Sequence, residues 1–326
     1  MKFKKEFIEH YSRITEWDAF ERCLLKPRRR SIRVNTLKIK VADLVSKLSH
    51  AWCLEQVPWC CEGFWISERE NLKEKEENYT GNSNSNITGI KSLGSIEEHK
   101  MGLFYIQEAA SMIPAIVVDP KPGENILDMC ASPGSKTTQI AQYMENTGSI
   151  TANDIRDDRI AILKRNIERM GVENCRITKM PGQRLKDLKF DKILLDPPCS
   201  ATGTMRGRQD MIEGWNPDVA ARMQYEQRSL MHYAYCVLRR GGILVYSTCS
   251  IEVEENEAVV DWLLKRHKKI EIEQIKMNKK TCALNRSDPI LEYEDKRYDE
   301  RVGDCMRLMP HDNDTDGFFI ARLKKI

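Results

Sequence analysis

Two cysteines stand at matching places in the chain, and their surroundings point to chemistry. Cys199 lies in Leu194-Leu195-Asp196-Pro197-Pro198-Cys199-Ser200, just past an apolar run that ends Lys192-Ile193-Leu194-Leu195. Cys249 lies in Tyr246-Ser247-Thr248-Cys249-Ser250, just past a second run, Gly242-Ile243-Leu244-Val245-Tyr246. Short apolar runs with Ile, Val and Tyr, bounded by Gly and Pro, read as buried strands of a parallel sheet. Ligands of open α/β sheets bind beyond the carboxyl ends of the strands, so both thiols are expected to face one cleft. Two thiols and a carboxylate, Asp196, in one cleft suggest nucleophilic chemistry. A lone cysteine after a strand would more simply be a small buried hydrophobe; two of them in these settings favour the chemical reading.

The elements that must position these groups can be read along the chain. From residue 100 strands alternate with helices: Asn125–Met129, Ser149–Asn153 and Cys175–Thr178 read as strands, with helices over Ser135–Met144 and Arg156–Met170. That alternation predicts a doubly wound parallel sheet of the α/β class. Leu103 to Glu108 is expected to open a helix reaching Val118, and Gly317–Leu323 to form a last, antiparallel strand. Trp215-Asn216-Pro217-Asp218 reads as a helix start, with Pro at the first helical position. Before residue 100, an amphipathic helical stretch to about residue 25 precedes a half-buried strand at Ser31–Leu37, a helix at Val41–Leu48 and a strand at Gly63–Ile66, which fits a βαβ-type accessory unit. Residues 68–98 turn Glu/Lys-rich and then Asn/Ser/Gly-rich, a composition that cannot bury a core and reads as a surface insertion.

Composition narrows the class. The 326 residues suffice for an α/β domain and a smaller one, and 31% charged residues are ordinary for a soluble protein. No apolar run reaches the length of a membrane span, and no signal-peptide core follows Met1. The eleven cysteines form no disulfide framework and lack the C-x-x-C pairing of a zinc site, so reduced thiols in a cytoplasmic protein without a metal are expected. Net charge is only +3, but residues 1–50 hold thirteen Lys/Arg against six Asp/Glu, with Arg28-Arg29-Arg30 and Arg33 at the centre. Such a run is either a solvated face or a phosphate-binding patch.

The loop Asp128-Met129-Cys130-Ala131-Ser132-Pro133-Gly134-Ser135-Lys136-Thr137 joins the first main strand to its helix. Pro and Gly bend it tightly and let backbone N–H groups approach a ligand. It has neither G-x-G-x-x-G nor the first Gly of a P-loop, which disfavours phosphate cradling. Asp154, ending the next strand, can accept from both hydroxyls of a ribose. Loop and acid together favour an adenosine-bearing cofactor over an ordinary turn with a capping Asp.

With these residues in place, a family resemblance follows. Asp128–Lys136 (D-M-C-A-S-P-G-S-K), Asp196–Ser200 (D-P-P-C-S) and Ser247–Ser250 (S-T-C-S) resemble the Sun-domain RNA cytosine-C5 methyltransferases. So do Arg33–Thr36, Tyr105–Ser111 and Asp316–Ile320. The similarity spans nearly the whole chain outside 68–98. It implies a Rossmann-like S-adenosylmethionine-dependent methyltransferase sheet over residues 99–326, and a small α+β RNA-recognition-like domain over 1–98. It implies that S-adenosyl-L-methionine is the cofactor, that Cys249 is the nucleophile and that Cys199 is its helper. It also implies that Cys130, Ala131, Ser132, Pro133, Gly134, Ser135, Lys136, Asp154, Arg159 and Asp196 surround cofactor and target base. The compact form looks most like the archaeal transfer-RNA enzymes of the family. There are departures: Pro197 replaces a more usual Ala or Val, Ala201 stands where Gly is common, and Met180–Arg184 lacks an Asp that contacts adenine in relatives. Gln183 is the candidate to meet the adenine amino group instead.

The chemistry explains the residue types. Carbon 5 of cytosine is a poor nucleophile until a thiolate adds at carbon 6; carbon 5 then becomes enamine-like and can take a methyl group from a sulfonium, after which a base removes its proton. Cys249 is expected to attack, with Lys136 helping it ionise, Asp196 stabilising the protonated ring nitrogen and Cys199 breaking the adduct. RNA backbone would then be met by Arg28, Arg29, Arg30 and Arg33. The rivals are a ribosomal-RNA enzyme of the same chemistry, an amino-methyltransferase built on D-P-P, and an idle RNA-binding assembly factor. An amino-methyltransferase needs no thiol, and an idle factor has no reason to keep Cys199, Cys249, Asp196 and Lys136 together.

Overall fold

Strand β1 (Ser31–Val34) lies inside a four-stranded antiparallel sheet with β2 (Trp52–Gln56), β3 (Gly63–Glu68) and β4 (Phe104–Ile106), in the order β2-β3-β1-β4. The computed structural model describes residues 3–69, 92–185, 188–277 and 284–326, and of Gln183 and Leu185 the backbone alone. Most of the insertion read over 68–98 therefore falls outside the described residues. A helix at Val41–Leu48 follows β1, and a short one at Glu97–Lys100 precedes β4. The resulting βαββαβ order is a split βαβ arrangement, the pattern of a four-stranded RNA-recognition-like sheet.

The expectation of a helix opening at Leu103 is corrected here. Phe104–Ile106 is strand β4, registered on β1 through Ile32↔Ile106 and Val34↔Phe104. An apolar run this short is compatible with either state, and only the free edge of β1 decides it. Helix starts as a 3₁₀ turn at Ala110–Met112 and continues over Ile113–Val118, with Pro114 in its first turn. The small sheet thus takes its last strand from beyond residue 98.

Side chains alternate across β1, so the sheet has two different faces. Ile32 and Val34 pack with Phe64, Ile66, Phe104, Leu44 and Leu48 under the helix. Arg33 points the other way and is wholly buried. Its guanidinium donates to the Ser135 carbonyl (2.8 Å) and Thr138 Oγ1 (2.9 Å), and also pairs with Gln107 Oε1. Arg33 therefore cannot meet RNA phosphate, contrary to its grouping with Arg28–Arg30; it locks the small sheet onto the catalytic layer. Arg33→Met is expected to lower unfolding free energy by at least about 2 kcal/mol, because it strands buried acceptors. A denaturant midpoint equal to wild type would contradict this.

The second sheet runs β10 (Ile270–Ile272), β14 (Phe318–Lys325), β9 (Leu238–Thr248), β8 (Phe190–Leu195), β5 (Asn125–Asp128), β6 (Ser149–Asn153), β7 (Cys175–Thr178), with β13 (Met306–Leu308) also on β14. A two-stranded hairpin, β11 (Glu292–Tyr293) with β12 (Lys296–Arg297), stands apart. Strands β5 to β9 pair in parallel, and β14 inserts antiparallel against β9, as expected of Gly317–Leu323. This is a Rossmann-like sheet, as the resemblance implies. The order reverses between β5 and β8, and a crevice opens there above the carboxyl ends. The Ser135–Tyr143, Asp157–Met170 and Asp218–Val237 helices cover the sheet. Among the described residues no helix is long and apolar enough to cross a membrane.

Candidate active site

The loops after β8 and β9 bring the two cysteines together, with Cys199 Sγ 3.2 Å from Cys249 Sγ. The reason is local: parallel pairing aligns Leu195, the last residue of β8, with Tyr246 near the end of β9, so the segments that follow leave the sheet side by side. A backbone bond from Gly203 N–H to the Cys249 carbonyl (2.9 Å) ties the following segments. Gly203 is obligatory, because a Cβ there would sit 2.4 Å from the Gly317 carbonyl oxygen. Hydrogen bonding to Cys249, reinforced by burial, holds the Cys199 thiol well above its usual pKa, so Cys199 is protonated.

Beside the thiols, Lys136 Nζ donates to Asp196 Oδ2 (2.8 Å) and Ser247 Oγ donates to Asp196 Oδ1 (2.9 Å). Burial works against the Lys136 charge, but Asp196 outweighs it and, with a smaller contribution from the Cys249 charge, holds the ammonium above the ordinary lysine range. Phe318, opening β14, lies 5.4 Å from the same ammonium. Behind them, Asp128 is pushed up to about 7 by burial, though Thr137 Oγ1 donates to it at 2.6 Å. Sequence reasoning missed Ser247 as an orienting group; its place in S-T-C-S, at the end of β9 and two residues before Cys249, was the available signal.

The loop Cys130–Lys136 turns at Gly134 (φ 100°), which precedes the Ser135–Tyr143 helix. The first-turn amides of any helix lack intrahelical partners and can face a ligand. Asp154 ends β6 beside this loop: its Oδ2 accepts from Arg159 Nε (3.0 Å) and its Oδ1 from Ile155 N–H (2.8 Å) and Arg156 N–H (3.2 Å). Arg159 Nη2 also donates to the Ser132 carbonyl (2.7 Å). A buried acid at a strand end, a Gly-turned loop and a helix N-terminus form a donor–acceptor set that fits an adenosyl ligand. Burial pushes the Cys130 thiol well above its usual pKa, in keeping with packing rather than attack. The side chain of Gln183 lies outside the described residues. Trp215 packs against Phe7 (5.3 Å) and Tyr11 (5.8 Å) of the first helix. No group of three or more His, Cys, Asp or Glu among the described residues is arranged to hold a metal ion.

Arg28–Arg30 stand apart from this chemistry. They line a cleft of about 540 Å³ with Trp52, Glu55 and Trp65. Arg28 pairs with Asp316, Arg29 with Glu55, and the Arg29 guanidinium lies 4.1 Å over the Trp65 ring.

Comparisons with known proteins identify the family. The family model for 16S rRNA methyltransferase RsmB/F matches residues 115–324, and that for the N-terminal domain of 16S rRNA methyltransferase RsmF matches residues 3–109. The tRNA (cytosine(49)-C(5))-methyltransferase of Pyrococcus abyssi is 40% identical over 99% of this chain and 97% of its own length. Ribosomal RNA small subunit methyltransferase F of Klebsiella pneumoniae is also 40% identical, over 95% of this chain but only 60% of its own length. Among solved structures, a methyltransferase homolog protein from Pyrococcus horikoshii superposes with TM-score 0.77 at 33% identity, covering 99% of this chain and all of that one. NSun6 from Pyrococcus horikoshii, solved with the S-adenosylmethionine analogue SFG, gives 0.80 at 28% identity, over 99% of this chain and 98% of its own.

Proposed function

The chain belongs to the RsmB/F family of S-adenosylmethionine-dependent RNA cytosine-C5 methyltransferases, and from that premise we propose that it methylates a cytosine of transfer RNA through a covalent adduct on Cys249. The observation that carries the adduct is the 3.2 Å contact between Cys199 and Cys249 beside the Lys136–Asp196 pair. The choice of transfer RNA is supported by the P. abyssi transfer-RNA relative, 40% identical over 99% of this chain. Equal identity to the ribosomal-RNA relative makes ribosomal RNA the second reading.

In this mechanism Cys130 to Lys136, Asp154 and Arg159 hold S-adenosylmethionine, which when bound supplies an electrophilic methyl group. Lys136 favours the Cys249 thiolate, which adds to carbon 6 of the base. Asp196, oriented by Lys136 and Ser247, stabilises the proton on ring nitrogen 3. After methylation the carbon-5 proton passes to solvent water, the electrons of that bond restore the 5,6 double bond and the carbon 6–sulfur bond breaks, with Cys199, adjacent and protonated, placed to stabilise the departing Cys249 thiolate by hydrogen bonding. The test is incorporation of tritiated methyl from S-adenosylmethionine into unmodified transfer RNA and ribosomal RNA, followed by nucleoside analysis. Label in 5-methylcytidine of transfer RNA supports the reading. Label only in ribosomal RNA overturns the substrate, and label in another nucleoside overturns the mechanism.

Arg28–Arg30 are placed to meet the RNA backbone, but the acidic partners of Arg28 and Arg29 offset part of the gain. Replacing all three by Ala is expected to weaken RNA binding and to reduce the log–log salt slope by about 1 to 2, since each phosphate contact contributes about 0.7 to 0.9. An unchanged slope in a filter-binding titration would remove the segment from the interface.

A further inference from the structure

Both catalytic cysteines are followed by serine, and one buried carboxylate holds both serines. Glu255 Oε1 accepts from the Ser200 amide (2.9 Å) and Gln227 Nε2 (2.8 Å). Its Oε2 accepts from Ser250 Oγ (2.5 Å) and from Ser200 Oγ, and the two hydroxyls lie 3.1 Å apart. Four donors fill the acceptor sites of a carboxylate. Gln227 Nε2 also donates to the Pro198 carbonyl (3.0 Å), which fixes the turn carrying Cys199. Glu255 itself is anchored through its own carbonyl to the hydroxyl of Tyr246 on β9 (2.6 Å). It touches neither sulfur.

We propose that Glu255 is a positioning residue that clamps the Cys199-Ser200 and Cys249-Ser250 segments in register, so that the thiol needed for release stays against the thiol that attacks. The inference rests on the two-thiol mechanism above and names a residue that controls its second half. Attack needs Cys249 alone, whereas release needs both sulfurs in contact. Loosening the clamp therefore slows release more than attack. A misplacement near 1 Å can reduce rate about a hundredfold.

The experiment compares wild type, Glu255→Ala and Glu255→Gln with unmodified transfer RNA and S-adenosylmethionine. It measures kcat, KM for RNA, cofactor affinity, and the fraction of protein in a denaturant-resistant RNA adduct. Glu255→Ala is expected to lose about tenfold to a hundredfold in kcat. Because the slowed step follows attack, KM for RNA should fall along with kcat, while kcat/KM and cofactor affinity stay within about twofold and the adduct fraction rises. Glu255→Gln should recover most of the rate, because its amide keeps one acceptor and the serine hydroxyls can turn to accept from the other end. Placed on Cys199→Ala, Glu255→Ala should change the adduct fraction no further. Should Glu255→Ala fail to fold, Ser200→Ala cuts one tether without emptying the site and is read in the same way. An adduct fraction that falls in step with kcat, or an unchanged kcat, overturns the clamp. Cys199→Ala that labels cytosine at the normal rate with no trapped adduct overturns the two-thiol reading and the clamp together, whereas trapping by Cys199→Ala with silent Glu255 variants overturns the clamp alone.

Discussion

Cys199→Ala is expected to leave RNA bonded to Cys249, while Cys249→Ala abolishes turnover and adduct alike. The asymmetry follows from where each thiol sits, since the sulfurs themselves are only 3.2 Å apart. Cys199 is held protonated by its hydrogen bond to Cys249 and by burial, and the negative charges of Glu255 and Asp196 add to that hold. A protonated thiol is a poor nucleophile. The buried Lys136, whose ammonium Asp196 holds charged, is the cation available on the Cys249 side. Removing Cys199 therefore spares attack and impairs release, with turnover falling by about 10² to 10⁴, the usual worth of a positioned proton-transfer group. Denaturing gel electrophoresis of enzyme mixed with RNA and S-adenosylmethionine reads the result. The expected band is a slow-migrating complex in Cys199→Ala and none in Cys249→Ala. Ordinary turnover by Cys199→Ala with no trapped band would reverse or dissolve the division of labour.

How much of this was legible depends on whether a feature is set within one segment or between segments. Strands β5, β6, β7, β8, β9 and β14 each carry their own apolar signature, and their alternation with helices is enough to place Cys199 and Cys249 at one end of a sheet. Strand β4 has only three residues, and its state is decided by pairing with β1, which no local pattern records. Arg33 looked like part of a basic run because it follows Arg28–Arg30 closely. The pleat of β1 turns its side chain inward to carbonyl and hydroxyl acceptors from another domain. Glu255 was passed over for a similar reason: it lies six residues beyond Cys249 in an acidic stretch, Glu252-Val253-Glu254-Glu255, that reads as surface. Glu252 is buried there too, accepting from the Tyr11 hydroxyl, and only the return of the loop after β8, with Ser200 on it, explains the burial of Glu255. Acids and bases whose partners lie on distant segments look alike in a sequence whether they face water or each other.

Asp196→Asn is the substitution expected to separate attack from release most cleanly in the opposite direction. The wild-type carboxylate accepts once on each oxygen, from Lys136 and from Ser247, and a carboxylate has about four acceptor sites. Two remain for a proton-bearing ring edge, and the negative charge favours that proton as Cys249 adds. Asparagine keeps the shape but not the charge, and its amide end cannot accept. Adduct formation itself should therefore slow, by about 10² to 10⁴, and no complex should accumulate even when Cys199 is also replaced. The substitution reaches Lys136 as well. In the wild type Asp196 overcomes the burial that works against the ammonium and holds its pKa above the lysine value of 10.5. Without Asp196 burial is opposed only by weaker neighbours, the pKa falls, and the positive charge beside Cys249 is lost at lower pH. The alkaline limb of the single-turnover rate should accordingly move to lower pH in Asp196→Asn, with the charged, active form surviving only on the acid side of it. A variant that forms adduct at the wild-type rate, with its alkaline limb unmoved, would show that Asp196 neither meets the base nor sustains the lysine.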